Sequence, residues 1–208
     1  MSQSPIEPAL LASLRAVSFP TLGHLLEEGF ADPCIHALLS NVKVVGRAVT
    51  LQLHDADALA VNQALAYLDP GDVLVIDMRG DHTHAPVGAV TACAAACAGA
   101  EAIVVDGAVT DILELRETKL PVFARGTSLL TTKRVGTGRS QFNVPVRCGG
   151  ALVKPGDLVL ADDNGVMFID TATARRVVED ALASDQAEPN TLARLRAGEP
   201  VARVLSGT

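Results

Sequence analysis

The stretch DMRGDHTHAPVGA, residues 77–89, gathers two aspartates, two histidines, an arginine and two glycines. A second chemical stretch, VVDGAVTDILELRE (104–117), places Asp111 just after a turn, with no cation beside it before Arg116. An acid at a helix start can accept a first-turn N–H, hold a hard cation such as Mg²⁺, or do both. Asp81, His82 and His84 lie close together, and both imidazoles are competent ligands for Zn or Fe. They are equally suited to proton transfer, because histidine titrates near neutrality, or to capping backbone groups in a solvated loop. Arg79, Asp81 and His82 are therefore the candidate catalytic residues. Gly88 precedes AVTA, and a glycine ahead of a helix lets backbone N–H groups approach an anion at the positive helix end. A substrate carboxylate would rest there on the amides of Val90 and Thr91, with Gly88 allowing the approach.

These residues need a scaffold that brings them to one edge. VLVIDM (73–78), AIVVDG (102–107) and PVFARG (121–126) read as strands buried on both faces, separated by the helical GAVTACAAACAGA and DILELRETK. Strand and helix alternate over 73–126, which predicts parallel βαβ units whose ligands collect at the carboxyl ends of the strands. Upstream, VKVVGRAVTLQL (42–53) is a strand with Gly46 as a bulge or close approach, and ALAVNQALAYL a helix ended by DPGD. SPIEPALLASLRAV opens the chain as a helix with Ser4 as cap and Pro5 in its first turn, and TLGHLLEEGF predicts a second helix capped by Thr21 and stopped near Gly29. Downstream, short β runs are broken by GG, PGD and DDNG, the last suiting a tight hairpin. From Thr171 a helical pattern runs on, with a break expected at Pro189. The expected class is α/β, one domain over 1–208, with N-terminal helices (1–40), a core (41–170) and a C-terminal helical arm (171–208).

Composition narrows the partners. The chain has 208 residues, 49% of them hydrophobic but only 3% aromatic, with no Trp, so the core is aliphatic and oligomerisation is a natural way to gain burial. A net charge of −7 with scattered cations disfavours nucleic acid. No apolar run approaches the length of a membrane span, and the N-terminus lacks the n- and h-regions of a signal peptide, so a cytoplasmic protein is expected. Cys34, Cys93, Cys97 and Cys148 make no disulfide framework; Cys93 and Cys97, on one side of a helix, are expected as small buried core residues. No Gly-rich nucleotide loop with a suitably spaced acid is present.

PGDVLVID, VVDGAVTD, LPVFARG, NVPVRCGG and VKPGDLVLADDNGV, in that order, resemble the RraA-like family, over roughly residues 40 to 170. That family includes class II 4-hydroxy-4-methyl-2-oxoglutarate/4-carboxy-4-hydroxy-2-oxoadipate aldolases and the regulator of ribonuclease E activity A. The resemblance implies a βαβ sandwich related to swivelling domains, assembled as a trimer or a dimer of trimers (a hexamer), with sites between subunits. It implies Mg²⁺ or Mn²⁺ and a small oxo-acid substrate. The reaction would be cleavage to pyruvate or decarboxylation of oxaloacetate through a metal-stabilised enolate. The family's metal-binding aspartate falls on Asp111. Its substrate-binding arginine falls on Thr110, and an acid of its glycine turn on Ala89, while Gly88, Val90 and Thr91 keep the turn. Glu188 is the candidate for a glutamate lent by a neighbouring arm. Arg79, Arg125 or Lys133 would have to replace the missing charge, and Asp81, His82 or His84 supply the proton chemistry. The alternative implied by the other branch is a non-catalytic regulator that binds a protein.

Overall fold

The computed structural model describes residues 6–205. In chain order its elements are α1 (Pro8–Ala16), α2 (Phe19–Leu22), β1 (His36–Ala37), β2 (Lys43–Gln52), α3 (Ala58–Ala64), β3 (Asp72–Asp77), α4 (Ala89–Cys97), β4 (Ala102–Val105), β5 (Ala108–Val109) and α5 (Ile112–Thr118). There follow β6 (Val122–Ala124), β7 (Gly126–Thr127), β8 (Gln141–Phe142), β9 (Val146–Cys148), β10 (Ala151–Val153), β11 (Leu158–Asp162), β12 (Gly165–Ile169), α6 (Thr171–Arg196) and α7 (Val201–Leu205). The main sheet has eight strands in the order β1-β6-β4-β3-β2-β11-β12, with β8 paired to the end of β2. β2, β3, β4 and β6 are parallel, as the alternating pattern predicts, and β1, β8, β11 and β12 are antiparallel additions. β9–β10 and β5–β7 form two small separate sheets.

The apolar runs are central because both of their faces are covered. Leu74, Ile76, Ile103 and Val105 pack towards Ala60, Val61, Ala92, Ala95 and Leu115 of the helices. Their neighbours Val73, Val75, Ala102 and Val104 face the other way, onto Val146, Cys148, Val153, Val159 and Phe168. Alternate residues of one strand thus serve two cores, which is why no polar position interrupts the run. A third cluster joins α1, α2 and the first half of α6 through Leu14, Leu22, Val177 and Val178 to Leu158 and Leu160. Gly46 is a close approach: a Cβ there would lie 2.7 Å from Val73 Cγ2 and 2.8 Å from the Gly71 carbonyl oxygen. DDNG closes the β11–β12 hairpin, with Asp162 opposite Gly165.

Three expectations change. The second helix is only Phe19–Leu22, and Asp185 of α6 accepts the Ser18 N–H (2.7 Å) and the Thr21 hydroxyl (2.5 Å) at its start. The chain beyond it is drawn out beside β12, where Ala31 N–H bonds the Val166 carbonyl and Phe168 N–H the Gly29 carbonyl. α6 runs through Pro189 without a break; the proline removes one amide from the helix, and its own side chain lies on an exposed stretch. Cys93 and Cys97 are exposed, not core. The sheet side of α4 takes only Ala92 and Ala95, and the cysteines are turned outward. The first helix begins with Pro8 in its first turn; Ser4 and Pro5 lie outside the described residues.

One buried ion pair fixes the β2–β3 register. Arg47 and Asp72 are partners across the two strands, with Nη2 and Nε at 2.7 and 3.1 Å from Oδ1, and Asp72 Oδ2 accepts the Asp69 N–H. Removing one member strands the other. Arg47→Met is expected to cost about 3–5 kcal/mol in urea unfolding, and Arg47→Met with Asp72→Leu to recover most of it.

Candidate functional site

The parallel strands deliver polar side chains to one edge of the sheet. β3 ends in Asp77, β4 is followed by Asp106, and β6 by Arg125. Asp77 is buried and accepts the Arg79 N–H at 2.7 Å and the Arg147 N–H at 3.2 Å. Asp106, also buried, takes Arg125 Nε at 2.6 Å and the Gly149 N–H at 2.9 Å. Arg125 reaches a second carboxylate, Asp32, at 3.3 Å. Burial works against its charge, but the two carboxylates outweigh this and raise its pKa. Arg125 is therefore held in two ion pairs, with Asp106 and Asp32.

Loop 77–89 separates the residues that the sequence groups together. Arg79 has left-handed backbone (φ 54°), and its Nη1 lies 2.8 Å from His54 Nδ1. Asp81 holds the next turn: Oδ1 accepts the Thr83 N–H and hydroxyl and the His84 N–H, while Oδ2 lies 2.6 Å from His84 Nδ1. His82 turns elsewhere, its Nε2 3.7 Å from Asp106 Oδ1. Arg79, Asp81 and His84 line a cleft of about 550 Å³ with Lys133. His82 and Asp111 do not line it.

The loop then crosses to the second group. Ala85 bonds Leu130 and Thr132 through its backbone, and the Val87 carbonyl accepts the Thr110 N–H. This brings Gly88 against Asp111. Asp111 is itself left-handed (φ 56°) and makes no side-chain cap to its own helix α5. Its Oδ2 instead accepts the Ala89 N–H at 3.0 Å, at the mouth of α4, and its Oδ1 accepts the Thr110 hydroxyl at 3.3 Å. A side chain on residue 88 would collide with Asp111 Oδ2 and lie 2.9 Å from Thr110 Cγ2, so only glycine permits the contact. Val90 and Thr91 follow in the first turn, where amides have no intrahelical acceptor. The structure thus unites Gly88, Val90, Thr91, Thr110 and Asp111, and keeps Arg79, Asp81 and His82 on three different partners.

Sequence reasoning missed Asp77, Asp106 and the Asp81–His84 pairing. Each strand's terminal acid was visible in VIDM and VVDG, but nothing local says which amide it accepts.

With this geometry the chain can be placed among known proteins. The model of the RraA-like family (Aldolase/RraA) matches residues 23–168, and the chain belongs to that family. A relative from Halalkalibacterium halodurans, named "Putative 4-hydroxy-4-methyl-2-oxoglutarate aldolase", is 40% identical over 147 residues, 71% of this chain and 69% of that one. Streptomyces coelicolor RraAS2, described as an unusual member of the RNase ES inhibitor RraA family, has a similar structure (TM-score 0.78, 30% identity, 91% of this chain, 98% of that one). So has the RNA-processing inhibitor RraA from Thermus thermophilis (TM-score 0.64, 30% identity, 73% and 92%). Among the described residues no helix is long and apolar enough to cross a membrane.

Asp81 gives a pH test of the loop. Burial is the largest influence and pushes its carboxyl up, but the Thr83 hydroxyl, the Thr83 and His84 amides and the His84 ring together bring it down from 3.8 to about 2. A depressed carboxyl stabilises the fold above its unfolded pKa and loses that contribution as pH falls through the folded one. The stability difference between the parent and Asp81→Asn, from urea unfolding, is expected to be level near neutrality and to shrink as pH drops from 3.8 towards about 2.

Proposed function

We propose that the protein is a divalent-metal-dependent lyase acting on a small oxo-acid, by cleavage of a 4-hydroxy-2-oxo acid to pyruvate or by decarboxylation of oxaloacetate. The observation that carries this reading is Asp111, set at the mouth of α4 beside first-turn amides, with only a glycine between. The name borne by the Halalkalibacterium relative supports an aldolase-type lyase.

A hard cation fits this corner. Among the described residues no group of three His, Cys, Asp or Glu converges as a ligand set, so the protomer offers one exposed carboxylate. Each of its oxygens has lone-pair capacity beyond the single bond it accepts. That donor set suits Mg²⁺ or Mn²⁺, which keep several waters, better than a metal wanting three or four protein ligands. Asp111 would hold the ion, which when bound supplies Lewis-acid polarisation of a 2-oxo group and its carboxylate.

The chain's own residues do the rest. The amides of Val90 and Thr91, with Gly88 clearing the approach, receive the substrate carboxylate. Thr110 adds a neutral hydroxyl. Proton transfer falls to loop 77–89. There His82 stands over Asp106, and Asp81 fixes His84 through Nδ1, leaving Nε2 as the exchanging atom. Arg79 contributes positive charge to the same edge. The reading includes a homotrimer or a dimer of trimers with sites between subunits. Val90 (84% exposed) and Leu113 (66%) flank the corner as apolar surface for a neighbour. Glu188, on the exposed stretch of α6, is the acid available to an adjacent subunit.

The test is pyruvate release from oxaloacetate with and without Mg²⁺ or Mn²⁺. Asp111→Ala is expected to reduce the metal-dependent rate at least about 100-fold, the upper end of what losing a group that supports a metal costs. A rate indifferent to both EDTA and Asp111→Ala would refute the assignment. One observation favours a second reading, a protein-binding regulator: Thr110 and Ala89 stand where the family's aldolases carry an arginine and an acid. That reading expects no turnover of several oxo-acids under any metal, together with specific capture of a large protein.

A further inference from the structure

We propose that the cleft between the loops after β2 and β3 is a binding site for a small oxyanion, the carboxylate or phosphate group of an organic acid, separate from the Asp111 corner. Three cationic side chains, Arg79, Lys133 and Arg139, face it with two carboxylates, Asp55 and Asp81. Arg139 is spent on Asp55 through two hydrogen bonds, and Asp81 on its own turn and His84. Among the described residues Arg79 and Lys133 have no carboxylate partner. Arg79 rests on the His54 ring, and Lys133 Nζ bonds only the Thr131 carbonyl and hydroxyl oxygens. Two uncompensated cations in one concavity are unusual in a chain whose net charge is −7. They offer a fork and a point charge, the pair of donors that planar and tetrahedral oxyanions accept. The volume, about 550 Å³, is that of a small-molecule pocket.

The cleft is also built in advance. Its two walls carry three non-glycine residues in left-handed conformation, Asp55 (φ 58°) and Ala56 (φ 46°) on one side and Arg79 (φ 54°) on the other. Such backbone persists where surrounding bonds over-determine it. Here they do. Asp77 accepts the Arg79 N–H. Buried Asp57 accepts the N–H groups of Leu59, Val135 and Thr137, which clamps loop 133–137 onto the start of α3. Lys133 N–H bonds the Ala56 carbonyl, and its own carbonyl accepts the Ala58 N–H. Lys133 and Arg79 are thus held on facing walls by carboxylates that take no part in binding.

The experiment is calorimetric titration of the full chain with malonate and with inorganic phosphate, in EDTA, so that its outcome is independent of metal-dependent turnover. Saturable binding of one probe per chain is expected. Arg79→Gln and Lys133→Gln should each weaken it about tenfold, as loss of a charge-assisted contact does, and the double variant should abolish it. Arg134→Gln, an exposed neighbour outside the cleft, is the control and should change it less than about twofold. Tighter malonate binding assigns an organic acid, tighter phosphate binding a phosphate ester. Arg79→Lys keeps the charge and loses the fork, so it should weaken malonate while leaving the fold untouched. No saturable binding of either probe, equal binding by the double variant, or an equal loss in Arg134→Gln would overturn the proposal.

Discussion

A carboxylate buried without donors costs several kcal/mol, so every acid at the end of a fully covered strand must recruit them from the chain around it. Four acids are buried in this way: Asp57 at the start of α3, Asp72 and Asp77 at the two ends of β3, and Asp106 just after β4. Asp72 recruits Arg47 and the turn at Asp69, and so sets the register of β2 against β3. Asp57 recruits the loop 135–137, Asp77 the backbones of Arg79 and Arg147, and Asp106 the side chain of Arg125 with the Gly149 amide. No buried side-chain nitrogen or oxygen among the described residues lacks a partner. The loops at the sheet edge are held in place because their amides and cations satisfy these charges.

This leaves the chemistry to groups that are not used up. Arg125 looks functional in sequence but is neutralised twice over. Asp111 remains open to solvent at a helix mouth, whereas Asp81 is spent on its own turn and on fixing an imidazole. The left-handed backbone at Asp111 is what aims its carboxylate away from α5 and at α4. A residue that numbering assigns to one helix start therefore acts at another, and the glycine before the second helix is the other half of the same contact.

The parallel core was legible because double burial leaves a local mark, an unbroken apolar run with helical periodicity between. The β11–β12 hairpin and the tight packing at Gly46 were legible for the same reason, since turn chemistry and missing side chains are written in place. What was not legible depends on distant partners. The start of α2 is set by Asp185 reaching across from α6 to Ser18 and Thr21. The outward cysteines follow from the face that α4 turns to the sheet, which carries Ala92 and Ala95. Pro189 was misread because a local rule was applied to a helix whose first half is already anchored by Val177, Val178 and Ala181. In the site, Gly88 and Asp111 were visible singly, but their contact spans α4, β4 and β5. The clustering of Arg79, Asp81 and His82 in sequence concealed that their partners, His54, His84 and Asp106, lie in different directions.

Thr110 and Ala89 shift where binding energy must come from. An arginine at 110 would give a ligand carboxylate two charge-assisted bonds at about 1.5–3 kcal/mol each, whereas a threonine hydroxyl or an amide gives about 0.5–1.5 kcal/mol. The Ala89 amide is already bonded to Asp111, so the helix mouth has the N–H groups of Val90 and Thr91 left to offer. Two neutral donors do not replace a guanidinium. A ligand held at this corner must gain the difference from a cation on Asp111 or from charge elsewhere on the same edge. Arg125 is already neutralised, and Arg139 is paired with Asp55. Arg79 and Lys133, which have no carboxylate partner among the described residues, face a cleft of their own that Asp111 does not line.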